Sequence, residues 1–199
     1  LVQTTRYPWD GRVEIVLSPQ SEAEFSLFLR IPGWSQAVTI AVDGEVLKDV
    51  TQPGSYHEIH RRWRPGSRIT LEMAMPSVLM VSNPMAAENR CSVAVKRGPL
   101  VYCFESVDNP GFSVRQARLR FDPQQPLDAL RAEHRDDLLG GVTVLHGLGS
   151  VPTEAWGPLY RPFSADPTPS RLVELVGIPY YAWANRGVGE MTVWLQKEP

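Results

Sequence analysis

Apolar residues in the first part of this chain return at every second position, and that period constrains the fold more than any other feature. Val13, Ile15 and Leu17 alternate with Arg12 and Glu14, and Phe25, Leu27, Leu29 and Ile31 alternate with Ser26 and Arg30. Val38, Ile40 and Val42 likewise oppose Thr39 and Asp43, while Ile69, Leu71, Met73 and Met75 oppose Arg68, Thr70 and Glu72. A period of two turns one face of a segment to a core and the other to water, as in a half-buried β-strand. Asp43-Gly44 supplies the two φ > 0 positions of a tight hairpin, and in Arg64-Pro65-Gly66-Ser67 the proline presets φ for a turn. Short antiparallel strands at this spacing predict an all-β chain, a sandwich or open barrel, and not βαβ units.

Asn83-Pro84 follows the short apolar run 78–81 and is the expected boundary between two domains, 1–83 and 84–199. Beyond it, 91–95 and 100–104 flank Arg97-Gly98-Pro99 as a hairpin, and the second run, apolar on both faces, reads as a central strand. Pro110, Pro123, Pro126, Pro152, Pro158, Pro162, Pro167 and Pro169 predict long loops around one strand at 142–145. Segment 127–139 is the one candidate helix, its Leu127, Leu130, Leu138 and Leu139 falling on an imperfect helical face. Segments 172–176, 180–183 and 191–195 read as strands, the last closing the fold.

With 199 residues, 43% of them hydrophobic, the chain can bury a real core, and 20 basic against 22 acidic side chains make nucleic acid an unfavoured partner. Both signs are spread evenly along the chain, so charge marks no binding face. No apolar stretch approaches the roughly 20 residues that span a bilayer, so no membrane partner is expected. Leu1-Val2-Gln3-Thr4-Thr5 carries neither an initiator Met nor a signal pattern, and the sequence reads as a fragment or processed chain. Two cysteines are too few for a disulfide scaffold or a four-ligand structural zinc site. They leave the compartment open, with the cytoplasm favoured.

Few residues suggest chemistry on their own. His57 and His60 lie three apart on a strand and so point to opposite faces, which a single metal ion could not bridge. Cys91 and Cys103 would sit diagonally on their hairpin, a poor disulfide geometry, and are expected as buried free thiols. Glycoside hydrolysis normally needs two carboxyl groups across a scissile bond, and no spacing selects a pair among the 22 acids. There is no Walker loop, no Gly-x-Ser-x-Gly and no His-Glu-x-x-His. Trp9, Trp34, Trp63, Trp156, Trp183 and Trp194 serve core packing or a sugar-stacking platform.

Four segments in order carry a resemblance. They are Thr5-Arg6-Tyr7-Pro8-Trp9-Asp10-Gly11; Leu29-Arg30-Ile31-Pro32-Gly33-Trp34; Val95-Lys96-Arg97-Gly98-Pro99-Leu100-Val101-Tyr102-Cys103; and Tyr180-Tyr181-Ala182-Trp183-Ala184-Asn185-Arg186-Gly187 with Gly189-Glu190-Met191 and Trp194. Together they resemble the carboxy-terminal part of glycoside hydrolase family 127, the β-L-arabinofuranosidase group. The resemblance implies two consecutive β-sandwiches, the first truncated at its amino-terminal edge, behind an upstream (α/α)6 barrel in the same polypeptide. In that barrel a zinc-bound cysteine is the nucleophile and a glutamate the acid/base. Their motifs, an adjacent Cys-Cys pair and a Glu-x-Cys, have no match here, so no catalytic, metal or cofactor residue is assigned to this chain. Trp9, Trp34, Arg97, Trp183 and Arg186 remain as candidates for carbohydrate or domain-interface contact. Arg30 and Arg97 stand at strand ends beside Pro-Gly or Gly-Pro turns, where a guanidinium fork ties carbonyls or a carboxylate. The expected role is non-catalytic scaffolding, with the barrel and a homodimer contact as partners. The rival reading is a stand-alone module binding arabinose-containing glycans.

Overall fold

The computed structural model describes residues 1–154, 157–160, 162 and 168–198. It divides into two compact units, Leu1–Pro76 and Ser77–Pro199. In the first, strands β1 (Val2–Thr5), β2 (Arg12–Leu17), β7 (Ser67–Met73), β4 (Val38–Val42) and β5 (Glu45–Val46) form an antiparallel sheet in that order. Strands β3 (Ala23–Arg30) and β6 (Tyr56–Trp63) pair separately as a two-stranded sheet. The alternating residues meet as the period predicts: Val13, Ile15, Leu17, Ile40, Val42, Ile69, Leu71 and Met73 share one core with Leu29, Ile31, Ile59 and Trp63. Asp43 and Gly44, with φ of 50° and 87°, join β4 to β5. The Arg64-Pro65-Gly66-Ser67 turn closes with Ser67 N–H donating to Arg64 O over 3.0 Å. It carries the chain from one sheet to the other, because β6 pairs with β3 and β7 with β2 and β4. Gly11 must be glycine: a Cβ there would lie 1.9 Å from the carbonyl oxygen of Met73.

The second unit contains β8 (Ser77–Met80), β9 (Ser92–Arg97), β10 (Leu100–Glu105), β11 (Arg118–Leu119), β12 (Leu130–Arg135), β13 (Val142–Pro152), β14 (Ser170–Pro179), β15 (Met191–Thr192) and β16 (Trp194–Lys197). They pair in the order β15-β10-β14-β13-β11-β16-β9-β8, with β12 on β13. A further β9–β10 pairing joins the ends of the path from β10 to β9, making a six-stranded barrel-like ring. Among the described residues every pairing is antiparallel except β11–β16. Val93, Val95, Tyr102, Phe104, Leu119, Leu145, Leu175 and Leu195 fill its core. The chain is therefore all-β and mostly antiparallel, as expected.

Several expectations need correction. The domain boundary moves from 83/84 to 76/77, because the apolar run at 78–81 pairs forward, with Val78 opposite Lys96 and Leu79 opposite Val95. The candidate helix at 127–139 is instead a 3-10 turn, Pro126–Ala129, followed by β12, whose six residues all pair with β13. That continuous ladder outweighs a weak helical pattern, and Gly140 and Gly141 with positive φ make the returning turn. Tyr180–Ala182 is a 3-10 turn rather than a strand. The closing strand splits at Val193, with β15 on β10 and β16 on β9 and β11. Cys103 is a buried free thiol, but Cys91 is exposed, because it stands at φ 61° just before β9 begins. Within β10 the four residues Tyr102, Cys103, Phe104 and Glu105 are buried, whereas Val101 is 42% exposed. Trp156 and Pro167 lie outside the described residues.

Candidate functional site

Arg186 is the best-anchored of the candidates. The buried strand β10 ends on Glu105, itself 5% exposed, and Asp108 follows in the next turn. Arg186 donates both terminal nitrogens to Asp108 and one, over 2.8 Å, to Glu105 Oε2. The other carboxylate oxygen of Glu105 accepts the Ala184 N–H at 3.1 Å, fixing that residue at φ 64°. Asn109 extends the network: its side chain donates to Glu105 O and Val176 O and accepts from Val176 N–H. Ser106 and Glu190 clasp each other through backbone and side chain, and Ser113 donates to Glu190 Oε2 at 2.6 Å. Gly189 packs so tightly here that a Cβ would meet Ser106 Oγ at 2.3 Å. Charge-assisted bonds of this kind are shorter and stronger than neutral ones, and here they hold a loop in place.

That loop presents aromatic rings. Tyr180 and Trp183 stack with centroids 6.0 Å apart and planes 15° from parallel, and both are more than 40% exposed. Beside Tyr180, an open groove of about 540 Å³ is lined by Val101, Met191, Thr192, Val193 and Trp194. Arg97, at the end of β9, lies near the Tyr102 hydroxyl, which donates to Thr143 O at 3.1 Å. Trp9 and Trp34 belong to the first unit, where Trp34 packs against the core and stacks on Tyr7 at 6.3 Å, whereas Arg97, Trp183 and Arg186 belong to the second. Arg30 ties carbonyls, donating to Ile31 O at 2.8 Å and Ser55 O at 3.1 Å. His57 is buried with Nδ1 bonded to Thr51, whereas His60 faces outward. Glu105, Asp108 and Asn109, which anchor the loop, were not singled out by sequence. Their signal was a cluster of polar residues at and just beyond the end of the apolar run 100–104.

Burial pushes the Cys103 thiol up to about 12, with the charges of Glu105 and Asp108 adding and Arg186 opposing. Burial likewise pushes the Tyr102 hydroxyl up to about 12, opposed by Arg97. Both groups stay neutral in the fold at pH values where an unfolded cysteine, near 9.0, and tyrosine, near 10.0, ionise. Stability from these sites is therefore complete below pH 9 and declines toward pH 12, by about 1.4 kcal/mol per pH unit for each group in its window. Cys103→Ala is expected to remove the part of the decline that begins near pH 9. Urea unfolding between pH 8 and 11 checks this, and identical slopes for variant and wild type would refute it.

Comparison with known proteins places these units. Residues 1–75 match the middle domain of the GH127 β-L-arabinofuranosidases, and residues 78–196 match the glycoside hydrolase family 127 C-terminal domain. The two matches meet at the 76/77 boundary of the structure. The chain is 37% identical to a non-reducing end β-L-arabinofuranosidase of Bifidobacterium longum subsp. longum, across 98% of its own length and 30% of that protein. It superposes with a TM-score of 0.85 and 39% identity on a GH127 β-L-arabinofuranosidase from Geobacillus stearothermophilus T6, covering 98% of this chain and 30% of that one. A GH127 β-arabinofuranosidase at 29% identity gives 0.81 over 98% of this chain and 31% of that chain. The chain thus spans about 30% of the length of the relatives it matches, and it belongs to glycoside hydrolase family 127, of which it comprises the middle and C-terminal domains.

Proposed function

We propose that these residues are the non-catalytic brace of a β-L-arabinofuranosidase-like glycoside hydrolase, whose catalytic (α/α)6 barrel precedes them in the same polypeptide. The observation that carries this reading is the engagement of the buried ionisable groups with one another. Both oxygens of Glu105 are held, by Ala184 and Arg186, and Asp108 is held by the same guanidinium. A carboxyl pair for glycoside hydrolysis must instead face a scissile bond from two sides. Cys103 is fully buried and its thiol is held protonated, the opposite of what a thiolate nucleophile requires. Among the described residues no group of three or more His, Cys, Asp or Glu side chains is arranged to hold a metal ion. These residues therefore do not fit the zinc-thiolate centre that the family resemblance implies, and zinc and its ligands are assigned to the preceding barrel. The length of the relatives, more than three times that of this chain, leaves room for such a domain.

The full-length polypeptide is expected to hydrolyse a chromogenic β-L-arabinofuranoside, and residues 1–199 alone to give no turnover above background. Hydrolysis by residues 1–199, surviving chelator and thiol alkylation, would overturn the reading. The exposed, stacked Tyr180–Trp183 pair beside its groove favours a second reading, contact with arabinose-containing glycans. In that reading, calorimetric titration with arabino-oligosaccharides releases heat that Trp183→Ala abolishes.

A further inference from the structure

The outer face of the second unit gathers arginines around one pocket. Residues that stand opposite each other across an antiparallel ladder point to the same side. Arg118 on β11 stands opposite Ser150 on β13, which stands opposite Leu172 on β14. The next residue along β11, Leu119, is fully buried in the core, so Arg118, Ser150 and Leu172 face outward. With Arg120, Ser170 and Glu198 they line a pocket of about 550 Å³, which Thr168 and Arg171 complete.

Two polar groups in its wall have no protein partner. Arg118 is half-buried, yet among the described residues its guanidinium makes no hydrogen bond or ion pair. Ser150 is 5% exposed, and among the described residues its hydroxyl is likewise unpaired. Buried polar groups are normally satisfied. The Ser150 hydroxyl is not sealed from solvent, so the pocket is where a partner reaches it. The other two arginines are weakly engaged. Arg120 has one long ion pair, 3.7 Å to Glu198. Arg171 donates to the neutral Gly111 carbonyl at 3.1 Å and lies 5.9 Å from the centre of the Phe112 ring. Three guanidinium groups against one carboxylate leave the pocket with a surplus of two positive charges.

We propose that this pocket binds a small phosphate monoester through its phosphate group. Such a group carries a charge of about −1.5 to −2 near pH 7, which matches the surplus, whereas a single carboxylate leaves it half-neutralised. The Arg118 fork engages two phosphate oxygens at once, and the Ser150 hydroxyl donates to a third. The volume is far larger than an inorganic phosphate and falls in the range of small-molecule sites, about 300–1,000 Å³. The body of the ester is therefore held as well. Leu172, 55% exposed, offers it an apolar wall, and Glu198 accepts from its hydroxyls. Binding of this kind lies beyond the bracing role and does not depend on it.

Calorimetric titration of the full-length polypeptide in phosphate-free buffer tests the site, with glucose 6-phosphate, inorganic phosphate and glucose as probes. Glucose 6-phosphate is expected to bind and glucose to give no heat. Arg118→Gln should weaken the ester at least about tenfold, through loss of the bidentate contact. Tighter binding of inorganic phosphate than of the ester would make the free ion the ligand and overturn the monoester. No heat from either phosphate, or an affinity unchanged by Arg118→Gln, would overturn the site itself. The unaltered polypeptide gives a second readout that survives a failure of Arg118→Gln to fold. Phenylglyoxal modification of Arg118, followed by mass spectrometry, should slow about tenfold when glucose 6-phosphate is present at roughly ten times its Kd. An unchanged modification rate contradicts the proposal.

Discussion

Arg186→Met is expected to destabilise the second unit by about 3–5 kcal/mol, because it leaves two carboxylates buried without their shared cation. The Arg186, Glu105 and Asp108 side chains retain only 16%, 7% and 13% of their full exposure, so solvent cannot replace the lost partner. Adding Glu105→Gln and Asp108→Asn to Arg186→Met should recover at least half of the loss, since the deficit comes from uncompensated charge and not from lost packing. Arg186→Lys keeps the charge but not the fork that engages two acids, and it should fall between wild type and Arg186→Met. Urea unfolding followed by near-ultraviolet circular dichroism measures all four proteins. A loss below about 1 kcal/mol in Arg186→Met would mean that the cluster behaves as a surface ion pair.

Trp63→Ala carries the other large effect, expected at about 3–5 kcal/mol in the first unit. Trp63 is fully buried where β6 meets the five-stranded sheet, and its indole N–H donates to Phe25 O at 2.9 Å. Arg61 lies over its ring at 5.5 Å. Removing the ring empties the seam between the layers and releases a bond that links β6 to β3. Trp63→Phe retains most of the volume and loses the donor, so it should cost roughly 1 kcal/mol, the net worth of one part-buried hydrogen bond. Equal losses in the two variants would show that the hydrogen bond, and not the filled volume, holds the layers together.

Strands β2, β3, β4 and β7 of the first unit were legible because their apolar residues keep a strict period between strong turn signals, as at Val38, Ile40 and Val42 before Asp43-Gly44, whereas β1 and β5, exposed throughout, carry no such period. β12 was not, since its ladder to β13 is long-range and Leu138 and Leu139, which suggested a helix, lie in the returning turn. The boundary was misplaced for a related reason. The polar stretch around Asn83-Pro84 interrupts the pattern, but hydrogen bonds between β8 and β9 cross it. At the site, Arg186 could be named from its loop motif, whereas its partners Glu105 and Asp108 stand 81 and 78 residues away in sequence. Local pattern identifies a side chain that must be satisfied. It does not identify the distant group that satisfies it.

Non-catalytic bracing is tested most directly in the full-length polypeptide, by replacing the only two thiols within residues 1–199. Cys91→Ser combined with Cys103→Ala should leave kcat/KM for a β-L-arabinofuranoside within about twofold of wild type per folded molecule, since neither sulfur would touch substrate or metal. A loss of about 1,000-fold or more with the fold intact, the size expected when a nucleophile is removed, would contradict the account and return the chemistry to these residues.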